Sequence, residues 1–385
     1  MTTTVDKKQV KRVPKLRFKG HDEVWFKRKI NELLKIGSGR DYKHLKSGDI
    51  PVFGTGGLMT KVNEALYEGE TVFIGRKGSI DKPFYFNGKF WTVDTLFYTH
   101  SFKECEPYFI YNIFQKVNWY KHNEASGVPS LSKKTIESIV TFVPSLPEQK
   151  KIADFLSAVD TKIQQLTRKK ELLEQYKKGV MQKLFSQEIR FKDENGNDFP
   201  EWEEKRLGNI SIIEGGGTPE TNINEYWNGD INWFTPTEIR QRTVKDSERK
   251  ITNLGLLKSS AKLLPIGTIL FTSRATIAEV SFALKESTTN QGFQSIIVSD
   301  KNDSNFVYYL IKNNKKVFIR KSQGSTFLEI SKKEMSKIRF NIPSKEEQVK
   351  IGNYLSSIDD KIEKVNQQIT QTQTFKKGLL QQMFV

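Results

Sequence analysis

Two stretches of the chain carry apolar residues at alternating steps of four and three. The first runs Ile152, Leu156, Val159, Ile163, Leu166, then Leu173, Val180 and Leu184. The second runs Ile351, Leu355, Ile358, Ile362, Val365, Ile369, then Leu379 and Met383. A narrow seam of this period, kept for about five heptads between polar faces, predicts two long coiled-coil helices. Lys170, Lys177, Thr372 and Lys376 interrupt it towards the C-terminal part of each helix. Pro144, Pro147 and Pro343 stand where the helices begin, a position that tolerates a missing N–H. Residues 144–185 overlay residues 343–384 without a gap, with 16 of 42 positions identical.

Charge selects how two such helices pair. Each carries an early aspartate, Asp160 or Asp359, and a late Lys-Lys-Gly, Lys177–Lys178–Gly179 or Lys376–Lys377–Gly378. A parallel pair sets like charges against each other. An antiparallel pair sets Asp160 near Lys376 and Lys377, and Asp359 near Lys177 and Lys178. The same register places the glycines near Ser356 and Ser157, which suggests a close approach of the helices there.

The duplication extends beyond the helices. Leu16-Arg-Phe-Lys19 recurs as Ile189-Arg-Phe-Lys192, Trp25 as Trp202, Gly69 to Arg76 as Gly267 to Arg274, and Ser132-Lys-Lys134 as Ser331-Lys-Lys333. The second copy is longer, mostly between Trp202 and Gly267, and the extra length is assigned to the string from Glu214 to Thr243. Short β-rich runs at 71–74, 90–98, 268–272 and 294–298, broken by Gly, Pro and Asn, predict strands. The fold class expected is α+β. Two homologous mixed α/β domains, at 1–145 and 187–343, alternate with long helices at 146–186 and 344–385. The helices pair antiparallel, so that one chain imitates a pseudo-two-fold dimer.

Composition narrows the partner. Lys and Arg exceed Asp and Glu by 62 − 45 = 17, which points to a polyanion, nucleic acid before a membrane surface. No apolar run reaches the roughly 18 residues of a membrane span, and the start lacks a signal-peptide core. Cys105 is the lone cysteine and the four histidines show no metal spacing. A cytoplasmic location is expected, with no metal and no membrane partner. A Walker A sequence, an adenine-methylation motif and a strand-borne GxGxxG are all missing from the string, so binding rather than catalysis is expected.

Candidate recognition residues sit in paired loops. A strand runs into Arg76, Lys77 and Ser79 in the first half and into Arg274 and Thr276 in the second; a guanidinium fork suits guanine or phosphate, or else a local carboxylate. Asn290 and Gln291 can read adenine, though Asn and Gly also make ordinary turns. The loop at Gln323 and Ser325 matches the loop around Asn123. Arg240 and Arg242 add charge. Tyr226–Trp227 and Trp233–Phe234 fit a core better than base stacking.

At these residues the chain resembles the specificity subunits of type I restriction–modification systems. The strings are GGTPE…YWNGDINWFTPTEI, LLPIGTILFTSRATIAEV, TTNQGFQSII and two P-x-x-x-E-Q-x-K-I helix starts. The first domain uses FGTGG with GRKGSI instead. The resemblance implies two target-recognition domains on a bipartite double-stranded DNA site. The helices then act as spacer and dock two methyltransferase subunits, with up to two restriction subunits added. It also implies no cofactor in this chain: S-adenosylmethionine belongs to the methyltransferase partners, ATP and Mg to the restriction partners. Two other readings remain, a self-sufficient methyltransferase or nuclease with duplicated domains, and a non-specific coiled-coil scaffold.

Overall fold

A computed structural model describes residues 13–274, 276–324 and 328–385. The chain divides into two units, Met1–Arg168 with Asn366–Val385, and Lys169–Val365. The division cuts through two long helices, Leu146–Phe185 and Lys345–Met383. Each unit therefore holds one mixed α/β domain, the first part of the helix that follows it and the last part of the other.

In the first unit a six-stranded sheet runs in the order Lys35–Ser38, Leu96–His100, Tyr67–Gly75, Phe84–Thr92, Ser47–Gly54, Gly57–Val62. The run expected at 90–98 is two strands: the chain turns at Val93–Thr95, because Thr92 and Leu96 belong to antiparallel neighbours of Tyr67–Gly75. A separate ribbon pairs Phe26–Lys29 with Val140–Val143. The helix Pro107–Lys116 buries Phe109, Ile110 and Phe114, and Ile152, Leu156 and Val159 of the long helix join this core with Leu379 and Met383. Phe384 stacks on Phe109 at 5.1 Å and meets Trp25 edge-on at 6.1 Å.

The second unit repeats the plan. One sheet orders Ser211–Gly215, Gln294–Val298, Ile269–Phe271, Val280–Ala283 and Thr243–Val244; another orders Arg249–Ile251, Trp227–Phe234 and Ser287–Thr289. The ribbon Glu203–Arg206 with Arg339–Ile342 matches that of the first unit. Register corrects the expected insertion. Val52 and Phe53 pair in parallel with Trp91 and Thr92, as Trp233 and Phe234 do with Thr288 and Thr289. Trp227–Phe234 is thus the counterpart of Ser47–Gly54, and most of the added residues lie beyond it, in the connections 235–248 and 252–266. Trp227 and Trp233 are buried, and Arg249 lies 3.6 Å over Trp227.

The Glu-Gln pair at each helix start is buried. Glu148 takes a two-pronged bond from Arg17 at 2.8 and 2.6 Å; Glu347 takes one from Arg190 at 3.2 and 2.8 Å. Gln149 accepts from the Glu106 amide at 3.0 Å and donates to Pro144 O at 2.9 Å. Gln348 accepts from the Asp303 amide and donates to Pro343 O, both at 2.9 Å. Each glutamine fastens the start of a domain helix to the start of the long helix.

Within each unit the two helix segments run antiparallel. Leu16, next to Arg17, donates its amide to Gln382 O at 3.0 Å, while Lys376 reaches Asp160 at 2.7 Å. Correspondingly, Ile189 donates to Lys183 O at 3.3 Å, and Lys177 reaches Asp359 at 2.5 Å. Two of the lysines that interrupt the seam, Lys177 and Lys376, are therefore the ones that make these ion pairs. Tyr108 and Tyr309 donate to the same aspartates at 2.6 Å. Seam residues Leu166 and Val365 are buried, and Ile163 and Ile362 are partly buried. Ile351, Leu355 and Ile358 enter the second core. The expected close approach at the glycines does not occur: a Cβ on Gly179 or Gly378 would meet nothing within 4 Å.

Candidate nucleic-acid interface

In the first unit four loops meet at the strand ends. Gly75 ends its strand where a Cβ would lie 2.2 Å from Ser79 O, so the turn closes only on glycine. Arg76 and Lys77 donate their amides to Thr95 O at 2.8 and 3.3 Å, and Arg76 Nη1 reaches Asp94 O at 3.3 Å. Gly78, at φ +84°, donates to Pro129 O at 2.9 Å. Val93 donates to Phe53 O at 3.1 Å, which brings in the turn after Ser47–Gly54. A cleft here is lined in part by Arg76, Lys77, Lys133, Ser130, Ser132 and Glu124. Hydrogen bonds from Thr135 and Ser132 hold the Glu124 carboxyl below the usual range. Ser79 is half-buried in the turn. The Asn123 side chain is spent inside its loop, on Ser130 at 2.8 Å and on Ala125 at 2.7 and 3.2 Å.

The second unit brings the equivalent loops together. Ser273 donates to Gly292 O at 2.8 Å, and Ile330 donates to Ser273 O at 3.1 Å. Arg274 pairs with Glu329 at 2.9 Å, both groups remaining well exposed. Gln323 and Glu329 exchange backbone bonds of 2.8 and 2.9 Å, the register of Glu124 with Ser130. Asn290 donates its amide to Phe234 O at 3.0 Å, while its side chain accepts from Gly292 N at 2.9 Å and closes the turn. Gln291 accepts from the Thr218 hydroxyl. Thr276 and Arg240 are exposed, and Arg240 donates to Thr237 O at 2.7 Å. Ser325 lies outside the described residues.

Arg242 stands apart from this cluster. Its guanidinium bonds Ser356 at 2.6 Å, Asn305 at 2.8 Å and Asp360 at 3.3 Å, and its carbonyl accepts from Phe282 N at 2.8 Å. Ser356 and Asp360 fasten it to the long helix Lys345–Met383, and Asn305 to the helix Ser304–Asn313. Sequence reasoning also passed over the turn at 55–56, between Ser47–Gly54 and Gly57–Val62, and its counterpart at 235–240. The paired FGTGG and FTPTE strings, each ending a strand at the same register, carried that signal.

Among the described residues no cluster of His, Cys, Asp and Glu could hold a metal ion, and no helix is long and apolar enough to cross a membrane. The duplicated loops set exposed guanidinium, ammonium, amide and hydroxyl groups on two similar edges, a chemistry for phosphates and base edges.

Comparison with known proteins fits this duplication. The model of the type I restriction modification DNA specificity domain matches residues 22–175 and again 200–372. The chain belongs to that family and carries its domain twice. It is 40% identical over 190 residues to the type I restriction enzyme MjaIX specificity subunit of Methanocaldococcus jannaschii, covering 48% of this chain and 44% of that one. It is 28% identical over 291 residues to the putative MjaX specificity subunit of the same organism, covering 72% and 67%. The matched stretch thus spans under half of the MjaIX subunit. The crystal structure of a type I restriction–modification S subunit from M. genitalium shares the fold, with a TM-score of 0.69, 17% identity and coverage of 97% and 99%.

Proposed function

We propose that this chain is the DNA-binding specificity subunit of a type I restriction–modification complex and catalyses nothing itself. Each domain reads one half of a bipartite site in double-stranded DNA. Arg76, Lys77 and Ser79 serve one half; Arg274, Thr276, Gln291, Gln323 and Arg240 serve the other. The helix pair is the spacer and the docking surface for two methyltransferase subunits, which bring S-adenosylmethionine. Up to two restriction subunits bring ATP and Mg. The setting is the cytoplasm. The observation that carries the reading is the duplicated loop cluster, built on matching strand ends within a twice-matched specificity domain.

Arg242, Asn123 and Asn290 are reassigned to support. Arg242 holds the connection 235–248 to the long helix, and the two asparagines shape loops. The test is methylome sequencing of cells that express this chain with its cognate methyltransferase subunit. A bipartite adenine motif is expected. Methylation by this chain alone would favour a self-sufficient enzyme, and methylation without any motif would favour a scaffold.

A further inference from the structure

At the edge of the six-stranded sheet, Ser47–Gly54 and Gly57–Val62 form a two-stranded ribbon. Its tight turn uses Gly57 at φ +103°. Just past the turn two apolar side chains stand in the open: Leu58 is 61% exposed and Met59 53%. Burial of large apolar groups is worth kilocalories, so two adjacent uncovered ones at a strand edge call for a partner.

Their position says which. Met59 Sδ lies 2.7 Å from the point a Cβ on Gly54 would occupy, and Val93 Cγ2 lies 3.5 Å from that point. Val93 leads directly into Asp94 and Thr95, whose carbonyls receive Arg76 and Lys77. The Thr55 hydroxyl is 4.0 Å from a Cβ built on Gly78, in the Arg76 turn. Met59 therefore continues the basic loop edge, and Leu58, paired opposite Phe53, adjoins it at the turn. The major groove of B-DNA admits a two-stranded ribbon, and the apolar group its base pairs present there is the C5-methyl of thymine.

We propose that Leu58 and Met59 read thymine methyl groups in the half-site taken by the first domain. The proposal rests on the DNA-reading function and specifies its chemistry. The second unit makes the contrast. After the matching strand Trp227–Phe234 it carries Thr235, Pro236, Thr237 and an exposed Arg240. Methyl reading by this ribbon is thus assigned to the first half-site.

The experiment uses the full chain with its methyltransferase partner and duplexes bearing the bipartite site. Each thymine of the first half-site, on either strand, is replaced singly by uracil, which removes only the methyl group. Wild-type binding should weaken about four-fold at one position or more, the effect of losing one buried methyl. Leu58→Ala or Met59→Ala should bind the thymine and uracil duplexes alike at that position. Wild type indifferent to every replacement, or both variants retaining the full thymine preference, overturns the proposal. Base-pair swaps in the same half-site separate the two readings: if swaps weaken binding and methyl removal does not, methyl reading alone falls. If neither matters, DNA reading by this domain falls with it.

Discussion

Lys376→Met is expected to destabilise the first unit by about 3 kcal/mol. Lys376 Nζ lies 2.7 Å from Asp160 Oδ2, with the side chains only 11% and 18% exposed. Removing one member of a largely buried pair costs about 3–5 kcal/mol, chiefly because the other charge is stranded. The lower figure applies because Tyr108 still donates to Asp160 at 2.6 Å. For a unit of this size, 1 kcal/mol moves Tm by about 2–4 °C, so a fall of about 6–12 °C is expected. Calorimetry on Lys376→Met, Asp160→Asn and the double variant checks it. The double variant should lose less than the sum of the singles, since neither residue is then left without its opposite charge. Single variants within about 1 °C of wild type, or strictly additive losses, would refute the pairing as a stabilising register lock.

Burial, and then hydrogen bonds to Asp160 and Asp359, push the Tyr108 and Tyr309 hydroxyls above the ordinary phenol range. A raised folded pKa means stability fully present below about pH 10 and lost as pH rises above it. Tyr108→Phe with Tyr309→Phe should flatten the fall in urea midpoint above about pH 10, and an unchanged slope there would contradict the assignment. Gly179→Ala and Gly378→Ala should each stabilise by about 1 kcal/mol in denaturant titration, because a Cβ there meets open space in mid-helix; destabilisation would restore the close-approach idea. A chain ending at Ser186 should form a homodimer by light scattering, with Lys177 of one copy replacing Lys376 opposite Asp160 of the other; a stable monomer would count against the internal-dimer architecture.

The helical half of the fold was legible because period and charge are local signals. The heptad seam marked both helices, and Asp160, Asp359 and the late lysines marked the register. The glycines misled because a missing side chain signals either crowding or empty space, and only the surroundings tell which. The strands were harder. Residues 90–98 read as one run because Thr92, Val93, Thr95 and Leu96 all suit a strand, while the turn at Val93–Thr95 is dictated by long-range pairing. The insertion was misplaced because aligned strings do not show that Trp227–Phe234 takes the register of Ser47–Gly54. Most candidate loop residues lie on the clustered loops, since a repeat of loop motifs survives folding. Arg242 does not, because its partners Asn305, Ser356 and Asp360 are distant in sequence.

The central claim is that two duplicated loop clusters read two half-sites independently. Methylome sequencing of cells carrying Arg76→Ala or Arg274→Ala, each with the same methyltransferase partner, tests it most directly. A lost base-edge contact is worth about 1–3 kcal/mol at its position. Arg76→Ala should relax one half of the methylated motif and Arg274→Ala the other, each leaving the opposite half fully specified. Relaxation of both halves by either variant, or methylation weakened uniformly with the motif intact, would contradict it.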